Sequence, residues 1–291
     1  MKKIYLAGIA SIITIIAQAQ IKQNEFSIGI SGGISTFHYS ITEGKYRAGG
    51  GGGSVNLGYL LKITKHWGVG TGAELAIYQS KTIFNEYSDN YSFLSNSIPG
   101  GTTEQNLFDF RFSYTDFKEE QKAFYLNFPL FFQLQTKEYS GPYIKVGIKL
   151  GIPIKAFRKA RYSALKTSGY FPYEGIEYTD LLDHGFGTYP SMTKKYGMKL
   201  NCSLSPFAEI GWKWHIYPHR YIYTGIYGEY GVRKIYDTPQ GIPLLQYYND
   251  GTIIGNPLWK SSHQRKNNVP IVSSHIHPMA IGVVIRWSFA L

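Results

Sequence analysis

The chain has 291 residues, a formal charge of +11, and an unusual share of aromatics and glycine: 25 Tyr, 17 Phe and 32 Gly. With 43% hydrophobic residues and no long apolar run beyond the N-terminus, no helical membrane span is needed, and the Tyr, Phe and Gly content fits strands joined by turns. A lone cysteine, Cys202, excludes an internal disulfide, and a basic excess without a nucleic-acid motif points to an anionic membrane surface rather than nucleic acid.

Taken in order, the chain begins with a leader. Lys2 and Lys3 form a basic start, Ile4 to Ile16 an apolar stretch and Ala17-Gln18-Ala19 a small-x-small cleavage site, so residues 1–19 are expected to be removed and the mature chain to start at Gln20 with a charge of +9. Period-two alternation then predicts a first strand over 26–39 and, after the Gly49–Gly53 run, a second over 54–63. A tight turn at 64–66 leads to a third over 67–78. A polar segment, 79–120, shows no sustained period. Strands four (124–135) and five (144–155) follow on either side of a short turn. A second polar segment, 158–198, precedes strand six (202–214), a turn at 217–220 and strand seven (221–236). The third long segment, 237–274, leads into Met279–Leu291, where Met279, Ile281, Val283, Ile285, Trp287, Phe289 and Leu291 share one face.

Eight strands, with short turns alternating with longer loops, those at about 79–120, 158–198 and 237–274 expected to be long and extracellular, suit a membrane barrel with both termini on the short-turn, periplasmic side. Glycines gather on the polar face, as the narrow interior of an eight-stranded barrel requires. Phe26, Trp67, Trp212, Trp214, Trp287 and Phe289 fall on the apolar face near the short-turn end and predict an aromatic girdle. Alternation alone would equally suit a lipocalin-like barrel or a sandwich.

The terminal strand, with aromatics outward and Gly282 and Arg286 inward, resembles the closing strand of a bacterial outer-membrane β-barrel, which in that family is also the signal read by the barrel insertion machinery. Residues 26–291, Gly-rich and Tyr-rich behind a Lys-initiated leader, resemble the small outer-membrane β-barrel proteins of the PorT-like group. The resemblance implies an all-β, eight-stranded antiparallel up-and-down transmembrane β-barrel in the outer membrane, with secretion-system proteins as partners in a type IX apparatus. A small solute or hydrophobic-ligand channel and a lipid A-modifying enzyme are the alternatives.

The polar face carries Glu74, Glu209 and Glu229 with Lys62, Lys145, Lys149, Lys155, Lys213, Arg233 and Arg286, a surplus near plus four. The deeper members, Glu74, Lys149, Glu209, Glu229 and Arg286, are expected to form a structural charge network, because an unpaired charge in a closed interior is costly. Arg158, Lys159 and Arg161, just above the outer end of strand five, are expected to meet lipopolysaccharide phosphates. No catalytic, cofactor or metal site is expected. His38 with Ser40, and His184 near Asp180 and Asp183, lack a G-x-S-x-G or comparable setting. His275 and His277 are two metal ligands without a third.

Overall fold

The alternating stretches form eight antiparallel strands: β1 (Glu25–His38), β2 (Gly51–Lys62), β3 (Trp67–Leu94), β4 (Leu107–Gln135), β5 (Gly141–Tyr162), β6 (Ser203–Tyr217), β7 (Arg220–Tyr230) and β8 (His277–Ala290). The computed structural model describes residues 24–42, 44–48, 51–96, 102–236, 241–272 and 275–291; the expected leader, 1–19, and Gln20 lie outside these. Each strand pairs with its neighbours in sequence. β8 then returns to β1 along a ladder from Glu25↔Ala290 to His38↔His277, so the eight strands close into a ring and leave no open edge between first and last.

At one end the connections are tight. The Thr64 hydroxyl accepts from the His66 and Trp67 N–H groups at 3.1 and 2.9 Å, and His219 takes a left-handed conformation (φ 62°) between β6 and β7. From this end, Ile28, Ile30, Leu57, Leu130, Phe132, Ile148, Ile210 and Ile285 and their neighbours point outward as a continuous exposed apolar belt. The polar faces of the same strands point inward. Two glycines show why the interior needs them: a Cβ at Gly29 would collide with the Arg286 side chain that crosses it, and one at Gly70 with the Phe131 ring lying over it.

Three strands continue far past the belt. β3 has 28 residues, β4 29 and β5 22, whereas about 9–11 tilted residues cross a hydrocarbon layer. The ladder therefore runs through most of 79–120, where the sequence shows no sustained period. Two irregularities re-aim the side chains there. Opposite Phe124 and Tyr125 the register of β5 shifts between Lys155 and Pro153, which inserts Ile154 as an extra residue. Beyond that bulge the outward positions are Lys155, Phe157, Lys159 and Arg161, the three cations exposed and Phe157 half-buried. Further out, Asp116 adopts φ 53°, Asn85, Glu86, Thr115 and Asp116 are all exposed, and the buried set moves from Phe84 and Phe117 to Tyr87 and Tyr114.

This outer extension has an aromatic core. Phe108, Phe110, Phe112 and Tyr114 of β4 are buried together with Phe186 and Leu165. A strand at Ala164–Phe171 pairs with β4 over Asp109–Thr115, and Met192–Gly197 pairs with the outer end of β5. Residues 241–272 fold back as a plug, with a small hairpin (Leu245–Tyr247 with Ile253–Gly255) followed by a short 3₁₀ turn (Leu258–Lys260). Trp259 of that turn packs edge-on against Phe37, Tyr39 and Tyr236 at ring distances of 5.4, 5.5 and 5.3 Å.

Candidate functional site

Three layers of charge fill the ring from its short-turn end. In the first, Lys62 and Lys213 both donate to Glu25 Oε1 at 2.6 and 2.7 Å, while Tyr223 and Ser288 donate to Oε2 at 2.7 and 2.9 Å. Lys213 is 0% exposed, so its ammonium depends on these partners. In the second, Arg286 grips Glu209 with both terminal nitrogens at 2.8 Å, Tyr143 donates to the same carboxylate, and Lys145 stands 3.9 Å off. In the third, Lys149 bridges Glu74 at 2.9 Å and Glu229 at 2.6 Å; Asn127 donates to Glu74 at 2.8 Å and Tyr78 to Glu229. Charge-assisted bonds of this kind cross-link facing walls of the ring. The cavities found among the charged layers measure about 40 and about 20 Å³, room for a water molecule or so each.

All five residues expected in the network, Glu74, Lys149, Glu209, Glu229 and Arg286, meet in the second and third layers. Two other expected interior charges do not. Lys155 faces outward because of the bulge at Ile154, and Arg233 lies exposed beyond the end of β7. Glu25 was not anticipated, although its parity with Ser27 and Gly29 places it on the inner face of β1. With these corrections the interior holds Glu25, Glu74, Glu209 and Glu229 against Lys62, Lys145, Lys149, Lys213 and Arg286, close to balance rather than near plus four.

Above the charged layers Tyr39 donates or accepts at Thr82 Oγ1 (2.8 Å), and Ser80 donates to Gln121 (2.9 Å). Burial pushes the Tyr39 phenol up to about 12. Gln121 in turn donates to Glu119 at 2.9 Å, and Glu119 meets Arg158 Nη1 at 2.9 Å. Burial pushes the Glu119 carboxyl up; the Arg158 guanidinium, Gln121 and the Leu258 N–H pull against it. Arg158 also donates to the carbonyls of Gly255 (2.8 Å) and Asn256 (3.3 Å), and Leu258 N donates to Glu119. The pair thus clamps the plug to β4 and β5. A second clamp is Asp89, which accepts from the backbone of Gln264 (2.7 Å) and Arg265 (2.8 Å).

Arg158 was expected beside lipopolysaccharide phosphates with Lys159 and Arg161. Only the latter two are exposed: Arg158 is 4% exposed and its guanidinium lies over the Tyr196 ring at 4.2 Å, because the bulge reverses the parity of β5 just before it. The girdle residues Phe26, Trp67, Trp212, Trp214 and Trp287 are exposed on the outer face, and Phe289 is half-buried. Trp287 stacks on Phe289 (6.0 Å, 10°), and the register aligns Trp214, Ile222 and Trp287 across three strands. His275 and His277 lie edge to face at 6.3 Å with His277 stacked on Tyr230, and no group of three metal-binding side chains occurs among the described residues.

Among solved structures, the chain is similar to Ail, the attachment invasion locus protein of Yersinia pestis (13% identity, 92% of this chain and 99% of that one, TM-score 0.29). It is also similar to a major outer membrane protein from Thermus thermophilus (9%, 92% and 100%, TM-score 0.39) and to Neisserial surface protein A (9%, 90% and 94%, TM-score 0.32). Superpositions this loose carry no argument about function. No curated protein matches the chain in sequence. A family model described as outer membrane protein beta-barrel domain matches residues 17–231, from before β1 through the end of β7. The chain therefore belongs to the outer membrane β-barrel domain family and resides in the outer membrane.

Proposed function

We propose that the ring is an eight-stranded transmembrane β-barrel that acts as a sealed, non-enzymatic anchor, and that its outer extension is a binding or assembly surface on the cell exterior. The observation that carries this reading is the filled interior: three charge layers leave cavities of about 40 and about 20 Å³, and the 241–272 plug closes the outer end. A barrel filled in this way favours display over conduction. Reconstituted in planar bilayers, the protein is expected to give no steady conductance; large, long-lived open channels would refute the reading and favour the channel alternative. The PorT-like resemblance adds a place for such an anchor in protein secretion, for which co-purification of secretion components from native membranes is the expected result.

The outer surface also suits contact with lipopolysaccharide. Lys155, Lys159 and Arg161 of β5 point outward just beyond the apolar belt, with the exposed Lys195 paired beside Lys159, at the height where lipid phosphates lie. Changing Lys159 and Arg161 together to Gln is expected to reduce retention on immobilised lipopolysaccharide at low salt, and equal retention of both forms would remove these residues from the proposal.

A further inference from the structure

The seam between plug and extension contains a cavity of about 220 Å³ that the anchoring role does not use. Its floor is buried and mostly apolar: Tyr114 and Phe117 of β4, Leu165, and Leu244 and Leu245 of the plug. Its rim is open, with Met192 and Lys194 exposed and Ile253 half-exposed. An apolar cavity of about 150 Å³ is enough for benzene, so this one, in the same proportion, encloses about nine non-hydrogen atoms, a ring with a three-carbon tail whose end reaches the rim. Three polar groups decide what the tail must be. Arg158, in the wall, gives three of its five donors to Glu119 and the Gly255 and Asn256 carbonyls, and its charge is already met by Glu119. Tyr114 is 3% exposed, lines the cavity and makes no hydrogen bond among the described residues, so its hydroxyl is a free donor facing the space. Lys194 makes no ion pair among the described residues and holds its ammonium at the rim.

We propose that this cavity binds a small amphiphilic acid, an aromatic or branched apolar body with one carboxylate, the body on the Tyr114–Phe117–Leu165 floor and the carboxylate at Lys194. A neutral hydrocarbon would fill the floor but leave Lys194 without a partner, and a large or strongly polar solute would not fit the floor at all. The site joins the plug (Leu244, Leu245 and Ile253) to β4 and β5, so occupation adds contacts on both sides of the seam that the Glu119–Arg158 clamp already holds. The proposal rests on the extension being the working part of the protein, and its test is independent of whether the barrel conducts.

The test uses the mature protein in phosphatidylcholine nanodiscs with 4-phenylbutyrate as probe, followed by ligand-observed saturation-transfer NMR against empty nanodiscs. Saturable binding is expected. Ile253→Trp fills the cavity from a half-exposed position and should weaken that binding at least tenfold while the heat-modifiable folded band persists on gels. Lys194→Gln, on the surface, should weaken 4-phenylbutyrate several-fold and leave neutral 4-phenylbutanol unchanged. A signal no greater than that of empty nanodiscs, or wild-type affinity in Ile253→Trp, would overturn the site; equal losses for acid and alcohol in Lys194→Gln would overturn the carboxylate assignment.

Discussion

Between the tight turns and Ile154 the strands bury Glu25, Glu74, Lys149, Glu209 and Arg286 and expose Ile, Leu, Val and Trp; beyond Ile154 the same strands bury Tyr87, Phe108, Phe110 and Phe112 and expose Lys and Glu. The hydrogen-bonded ladder is continuous across that boundary on β3, β4 and β5. What changes is the medium outside the wall. Facing hydrocarbon, apolar side chains lose nothing by being exposed, and the interior is free to take the polar groups that neither lipid nor an apolar core would accept. Facing water, the ordinary hydrophobic effect returns the aromatics to the inside. The lower core is held by directional bonds whose loss leaves a charge stranded, and the upper core by contact area, at about 1.5–3 kcal/mol for each large side chain removed from water.

The comparison can be broken with one substitution in each core. Lys149→Met leaves Glu74 and Glu229 facing each other without their shared cation, and breaking a buried pair in this way costs about 3–5 kcal/mol. It is expected to lower the denaturant midpoint of the whole barrel in detergent and to weaken the heat-modifiable band. Trp259→Ala removes the ring that packs on Phe37, Tyr39 and Tyr236, at a comparable cost of about 3–5 kcal/mol, yet the expected damage is local: faster proteolysis within 241–272 while the barrel band persists. If both variants lose plug and barrel in one transition, the two cores form a single cooperative unit and the distinction between them fails.

The lower region was legible in the sequence because hydrocarbon outside and charge inside make the two parities of a strand chemically unlike. Parity alone put Glu74, Lys149, Glu209, Glu229 and Arg286 on one wall. The upper region was not, because there both parities mix types: Tyr78, Ser80, Thr82 and Phe84 are buried in succession, and Lys81 and Ile83 alternate with them outside. A period was present at 79–84, but its polarity no longer marked which face was which. The inserted Ile154 has a local signature in Pro153 beside it, which a central strand tolerates at a bulge, but the unbroken alternation from Ile144 to Ile154 masks it; the insertion turned Arg158 from a lipid-facing cation into the clamp of the plug. The plug itself follows no period; Trp259 is one aromatic among polar residues, and only the fold shows that it closes the ring.

The smallest effect expected from this division concerns pH and belongs to the plug alone. His263 is buried against the Tyr87 ring at 5.3 Å, its Nε2 has no hydrogen-bond partner among the described residues, and burial pushes its imidazole below the usual 6.5 although Asp89 nearby favours the charged form. A base whose folded pKa is depressed binds fewer protons folded than unfolded. The stability it permits is therefore complete above about 6.5 and is lost as pH falls through that value toward the folded pKa. Proteolysis within 241–272 should accordingly quicken as pH drops from about 7.5 to about 5.5, with the barrel band unchanged because its pairs lie behind the plug. His263→Gln cannot titrate in this window and should flatten the profile. Equal acceleration in both proteins would place the pH sensitivity elsewhere, and not at Glu119: its carboxyl is pushed up by burial, so its own contribution to plug stability falls as pH rises, opposite in sign to that of His263.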